Sequence, residues 1–149
     1  MGKKGIDDHT LEELENHIWP PLPEYPTKML EQVYITRKKR IGDMDTNDFR
    51  LLIGQGVGLE FLIPKAIECL KRKILEDALY YPGDLLMVVL EAKREYWETH
   101  PSERRDVIDL VLKSRTSISQ TEEIDEPELV HSILTAIDGF TASFSIADN

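Results

Sequence analysis

A chain of 149 residues, 41% hydrophobic and 31% charged, is long enough for one domain with a real core and has the balance of a globular protein. Its net charge of −10 excludes nucleic-acid binding through the overall field and suits either a basic partner or simple solubility. The single cysteine, Cys69, excludes an intramolecular disulfide and points to a reducing, cytosolic compartment.

Met1 to Ile6 lead into acidic, polar sequence, without the apolar run of a signal peptide or the Ser/Thr of a myristoylation motif. No stretch is apolar for long enough to span a membrane. Residues 1–9 read as a loose end. Thr10 and Glu13 have the spacing of a capping box, which predicts a short helix with Leu11, Leu14 and Ile18 on one face. Trp19, Pro20, Pro21, Leu22 and Pro23 stop that helix and make a stiff, extended connector anchored by Trp19. A proline-rich ligand for a recognition domain is the other reading of this connector. Thr27 caps the next helix, with Met29 or Leu30, Val33, Tyr34 and Arg37 at helical spacing. The dense basic run Arg37, Lys38, Lys39, Arg40 falls at its C-terminus, where cations complement the macrodipole. Without interleaved aromatics it is a weak footprint for nucleic acid.

After the loop Ile41 to Met44 come three good capping types, Asp45, Thr46 and Asn47, with Asp48 in the first turn. They predict a helix that turns Phe49, Leu52 and Ile53 inward. Gly54, Gly56 and Gly58 stop it. These glycines are not a phosphate loop: the spacing is not G-x-G-x-x-G, no strand precedes it and no Gly-Lys-Ser/Thr comes after it. Leu59, Leu62, Ile63, Ala66, Ile67 and Leu70 recur at three and four, the buried face of a helix, with Cys69 beside it as a small core residue. Pro64 favours a short turn over 59–63 with a fresh helix beginning at Pro64, and a single kinked helix is the alternative.

Lys71 to Asp77 form a solvated exit and a loop. At the turn Tyr80 to Asp84, Pro82 sets φ, Gly83 permits the reversal and Asp84 caps the next helix. In that helix Leu85, Leu86, Val88, Val89 and Leu90 are apolar nearly all round, so it is expected to be the most buried one. It runs on to Tyr96 and Trp97. Pro101 and Ser102 open the last core helix, carrying Val107, Ile108, Val111 and Leu112. Composition changes at Ser114. Residues 114–126 read as a polar linker, succeeded by a helix from Pro127 to Ile137 that Gly139 ends, with Phe140 and Phe144 docking on the body. From Ser114 onward seven acids face one base, a net −6. The expected fold is all-α, a compact bundle of about six to eight short helices with irregular Gly/Pro turns. Residues 10–113 make the domain, and 114–149 an acidic linker and a C-terminal helix on or near it.

No catalytic constellation emerges. No nucleophile elbow frames the serines, the carboxylates spread over solvent faces, and His9, His17, His100 and His131 lack metal-ligand spacing. The reading is a non-enzyme without metal or cofactor.

Leu51 to Pro64 (LLIGQGVGLEFLIP), together with Tyr81 to Leu86 (YPGDLL), resembles the bacterial contact-dependent growth inhibition immunity proteins. Leu11 to Glu15 (LEELE), Trp97 and Pro101 are similar to that family too, so the likeness runs from about Thr10 to about Lys113. It implies a small, mainly helical, non-enzymatic protein of the bacterial cytoplasm. Its partner would be the toxic C-terminal domain of a large delivered effector, often a nuclease, bound 1:1 and neutralised. The loop Lys73 to Tyr80 departs from the family pattern and reads as local to the partner. The motif residues Gly54, Gly56, Gly58, Pro64, Pro82, Gly83 and Asp84 specify fold. Toxin contact falls to exposed acids and an aromatic beside them: Glu60, Glu76, Asp77 and Tyr80, then Asp43, Asp45 and Asp48. An acidic protein would occupy a nuclease's basic cleft directly, without touching nucleic acid or membrane. A helical adaptor or regulatory domain is the alternative.

Overall fold

Capping chemistry sets where the helices begin. In the computed structural model, which describes residues 5–145, α1 (Leu11–Leu14) starts at a complete capping box between Thr10 and Glu13. In α2 (Lys28–Arg37), the Thr27 side chain accepts from the Leu30 N–H. A second reciprocal box, between Asp45 and Asp48, opens α3 (Thr46–Gly54). The chain continues through α4 (Leu59–Arg72), α5 (Asp84–Leu90), α6 (Arg94–Thr99), α7 (Pro101–Ser119) and α8 (Pro127–Ser145). With 3-10 turns at Ile6–Asp8 and Ile41–Asp43, these eight helices make an all-α bundle, and no strand occurs among the described residues.

The core is built around α5. Leu85, Leu86 and Val89 are fully buried. α3 and α4 pack on this helix and on each other, α8 covers it from another side, and α7 lies along α8. α4 contributes the predicted face: Leu59, Leu62, Ile63, Ala66, Ile67 and Leu70 are all buried.

Two glycines permit close approach. Gly58 has φ 67°, and a Cβ there would lie 2.8 Å from the Leu11 side chain. Gly83 has φ 98°, and its Cβ would lie 2.9 Å from Ile133 Cδ1 of α8. Both positions need left-handed backbone and the absence of a side chain.

The structure corrects several expectations. α4 is one continuous helix with Pro64 inside it. Pro64 removes one hydrogen bond, to the carbonyl four residues back on exposed Glu60, at a cost of about 3 kcal/mol. Burial of a large apolar side chain contributes about 1.5–3 kcal/mol, and three such residues before the proline and two after it share one face, so the continuous helix wins. α1 is a single turn. Asn16 turns the chain away with φ 48°, and Ile18 is 76% exposed rather than inward. α5 stops at Leu90, so Tyr96 and Trp97 belong to the separate α6. Residues 5–9 are not loose: Lys65 pairs with Asp7 at 2.6 Å, and the Ile41 N–H donates to the His9 carbonyl at 2.9 Å. Residues 1–4 lie outside the described residues.

The tail differs most. The Ser/Thr-rich stretch after Ser114 continues α7 to Ser119, and α8 passes through Gly139 to Ser145. Ile118 is fully buried, whereas Leu112, expected inside, is 56% exposed. The hydroxyls of Ser117 and Ser119 donate to carbonyls three residues back, so they stay within the helix. Arg115 grips Asp138 of α8 with two bonds of 2.9 and 2.8 Å. Glycine weakens a helix by about 1 kcal/mol. Phe140 and Phe144, both buried beyond Gly139, outweigh that.

Asp84 does not cap its own helix. It is the first residue of α5, 3% exposed, and its carboxylate reaches backward. It accepts from the N–H groups of Ala78, Leu79 and Tyr80 at 2.7, 3.0 and 2.9 Å. A buried carboxylate with three donors fixes the loop before the helix.

Two consequences are measurable by urea unfolding. Asp84→Ala leaves three N–H groups without their acceptor and is expected to destabilise by about 3 kcal/mol. Ile118→Ala opens a cavity between α7 and α8 and is expected to lose about 2–4 kcal/mol, a loss that a linker residue would not show.

Candidate partner-binding surface

Among the described residues no group of three or more His, Cys, Asp and Glu could hold a metal ion, and no helix is long and apolar enough to cross a membrane. Burial pushes the Cys69 thiol up, Glu76 and Glu68 add to this, and the Arg72 guanidinium, 3.6 Å from the sulfur, opposes it. The side chain is half-buried and held in its unreactive form.

Three of the four cations of the basic run are paired within the chain, and one of them is buried. Arg37 is 1% exposed; it donates to Glu15 at 2.7 Å and to the His17 carbonyl at 3.1 Å, and lies 4.2 Å from the Trp19 ring centre. Lys39 binds Asp48 at 3.0 Å, and that hydrogen bond, with the charge of Asp48 and its neighbours, raises the Lys39 pKa. Arg40 binds Asp43 at 3.0 Å.

Three acids expected to meet the partner are thereby engaged within the chain. Asp43 holds Arg40, and Asp45 caps α3. Asp48 was expected on the surface, yet it is 8% exposed, because its Oδ2 accepts from both the Asp45 N–H and Lys39.

Glu76, Asp77 and Tyr80 share the loop that Asp84 holds. Glu76 is half-buried and Asp77 exposed. Leu79 and Tyr80 are 54% and 69% exposed, with the Arg50 guanidinium 4.7 Å from the Tyr80 ring centre. With Met29 of α2 they border a concavity of about 380 Å³, which Asp48 also lines.

Glu60 stands elsewhere, on a cleft of about 620 Å³ between the turn entering α4 and α6. Glu15 and Glu95 share its lining, and Leu14, Leu59 and Phe61 form apolar wall. Tyr96 and His100 line it too, their rings stacked with centres 4.0 Å apart. Tyr96 is 4% exposed and its hydroxyl has no hydrogen-bond partner. Burial first, then the charges of Glu103 and Glu60, push this phenol far above its usual range.

Of the seven predicted residues, the structure brings Tyr80 and Asp48 to one concavity and leaves Glu60 in another. Sequence reasoning missed Glu15, Glu95, Tyr96 and His100 as neighbours of Glu60. They come from α6 and the end of α1, so no local spacing links them. The one available signal was Gly58, whose lack of a side chain lets α1 approach α4.

Compared with known proteins, residues 13–107 match the family model of the CDI immunity proteins. No curated protein and no solved structure matches the chain. The matched span runs from the capping box of α1 into α7 and contains the whole cleft lining as well as the Asp84 loop. That is well over half of the sequence, and the chain belongs to the contact-dependent growth inhibition (CDI) immunity proteins.

Proposed function

We propose that this protein neutralises a nuclease toxin in the bacterial cytoplasm by binding its C-terminal toxic domain 1:1 and masking the active cleft, with no chemical step of its own. The family match carries the immunity role, and the charge of −10 supports the nuclease reading. A nuclease holds a polyanion, so its cleft is basic. An acidic inhibitor is steered to such a cleft, captured quickly, and excludes the substrate. Glu60 and Tyr80, on two separate concavities, are proposed contacts, with Glu76 and Asp77 on the loop between α4 and α5. Asp43, Asp45 and Asp48 are weaker candidates, since each already serves a cation or a cap of this chain. The adaptor alternative drew on the basic run, and Arg37, Lys39 and Arg40 are paired internally.

The test is a nuclease assay on the toxic domain encoded beside this chain, with the immunity protein titrated in. Activity is expected to fall to background at one equivalent. The association rate is expected to drop at least about tenfold between low and physiological salt, as steering by opposite charge requires. A toxin that degrades no nucleic acid, or one that this protein binds without inhibiting, would overturn the proposal.

A further inference from the structure

The groove between α2, α3 and the loop that Asp84 holds gathers apolar surface that the fold leaves in water. Among the described residues nine large apolar side chains are exposed, and three of them, Met29, Leu79 and Tyr80, line this one groove of about 380 Å³. They come from distant parts of the chain, so only the folded bundle brings them together. Apolar surface that is clustered and rimmed by polar groups marks an interaction site, whereas scattered apolar residues do not. The concavity between α6 and α8 differs: its large apolar side chains, Leu90, Trp97, Phe140 and Phe144, are already buried.

The exposed side chains are also held in place. Asp84 fixes the backbone at Leu79 and Tyr80 through their N–H groups. The Tyr80 ring centre lies 4.7 Å from the Arg50 guanidinium, which two bonds of 3.0 and 2.9 Å tie to Asn47 Oδ1. A surface ordered before it is covered loses less entropy on binding.

Charge narrows the occupant. In the lining, Asp48 is bound by Lys39, and Arg50 by Asn47 and the Tyr80 ring. Exposed Lys28 repels a cation, and an anion would meet Asp48 and the net charge of −10. An uncharged apolar group fits. The exposed amides of Gln32 and Gln55 on the same lining offer donors and acceptors to the peptide bonds beside it.

We propose that one apolar side chain of the toxic domain inserts between Met29 of α2 and the Leu79 and Tyr80 side chains of the α4–α5 loop. The proposal rests on the immunity reading and adds its anchor: the acids steer the toxin from a distance, and the groove holds it after contact. A few buried anchors dominate most interfaces, and they act mainly on the dissociation rate.

The experiment is stopped-flow association and dissociation of the full chain and the toxic domain encoded beside it, at low and physiological salt. Met29→Ser with Leu79→Ser is expected to raise the dissociation rate at least about 30-fold. The association rate should stay within about threefold, with its salt dependence unchanged, because no charge is altered. Ile18→Ser with Leu112→Ser, an exposed apolar pair outside the groove, should leave both rates within about threefold. All four residues are exposed, so Tm and far-UV circular dichroism should match wild type. A double-mutant cycle between Leu79→Ala and each exposed apolar residue of the toxin changed to alanine should reveal one pair coupled at least about fivefold. Dissociation within about threefold of wild type for the groove variant, equal loss in the control pair, or coupling only to charged toxin residues overturns the proposal while the immunity role stands. A free chain that sediments as a dimer, split by the groove variant, gives the groove to a second copy and also overturns it. A wild-type chain that does not bind the toxin overturns the immunity reading, and the anchor falls with it.

Discussion

α5 has no polar face, and a helix of seven residues does not hold together in water by itself. It exists because α3, α4 and α8 cover it, and they are placed by the need to cover it. Its entry is correspondingly constrained. Gly83 lets Ile133 and Leu75 close over the turn, where a Cβ would meet them at 2.9 and 3.3 Å. Asp84 begins the helix with a buried negative charge, which is tolerable only because three loop N–H groups solvate it. The same carboxylate therefore anchors α5 and fixes the segment that displays Leu79 and Tyr80. Core and surface are linked at this one residue.

Charge is divided with the same logic. The cations of the basic run close the N-terminal half onto α3, through Arg37 to Glu15, Lys39 to Asp48 and Arg40 to Asp43. The exposed pair among these adds little to stability. Arg37 is different. Buried under Trp19, its guanidinium must keep Glu15 and the His17 carbonyl, or it is left as an unpaired internal charge. Pairing removes cations and acids one for one, so the excess of acids, 28 against 18 Lys and Arg, is left to the field. A field of that kind steers a basic partner at a distance before any contact forms.

The parts legible in the sequence are those that one element decides alone. The boxes at Thr10 and Asp45, the cap at Thr27 and the apolar period of α4 each lie within a few residues, and each appears where the pattern put it. Pro64 and the serines after Ser114 misled because local propensity opposed a tertiary gain. A proline inside α4 and a glycine inside α8 are both overridden by apolar side chains on either side. Ile118 was the weak signal in the tail: one large apolar residue amid polar ones, with nothing local to say that α8 would cover it. The cleft was illegible for the complementary reason. Glu15, Glu60 and Glu95 are far apart in the chain and become neighbours only in the folded bundle, where Gly58 lets α1 close on α4 and α6 lines the other side.

The residues that specify the fold and the exposed residues beside them are separable. Gly58, Gly83 and Asp84 resist substitution for physical reasons already visible in φ, in Cβ clearance and in buried hydrogen bonds. Glu60, Glu95, Asp77 and Tyr80 are exposed, and changing such residues typically shifts stability by no more than about 0.5 kcal/mol. A surface carried on a frame that does not depend on it can change its partner without unfolding. Tyr96 belongs to the frame: its ring is core, stacked on His100 and edge-on to Trp97.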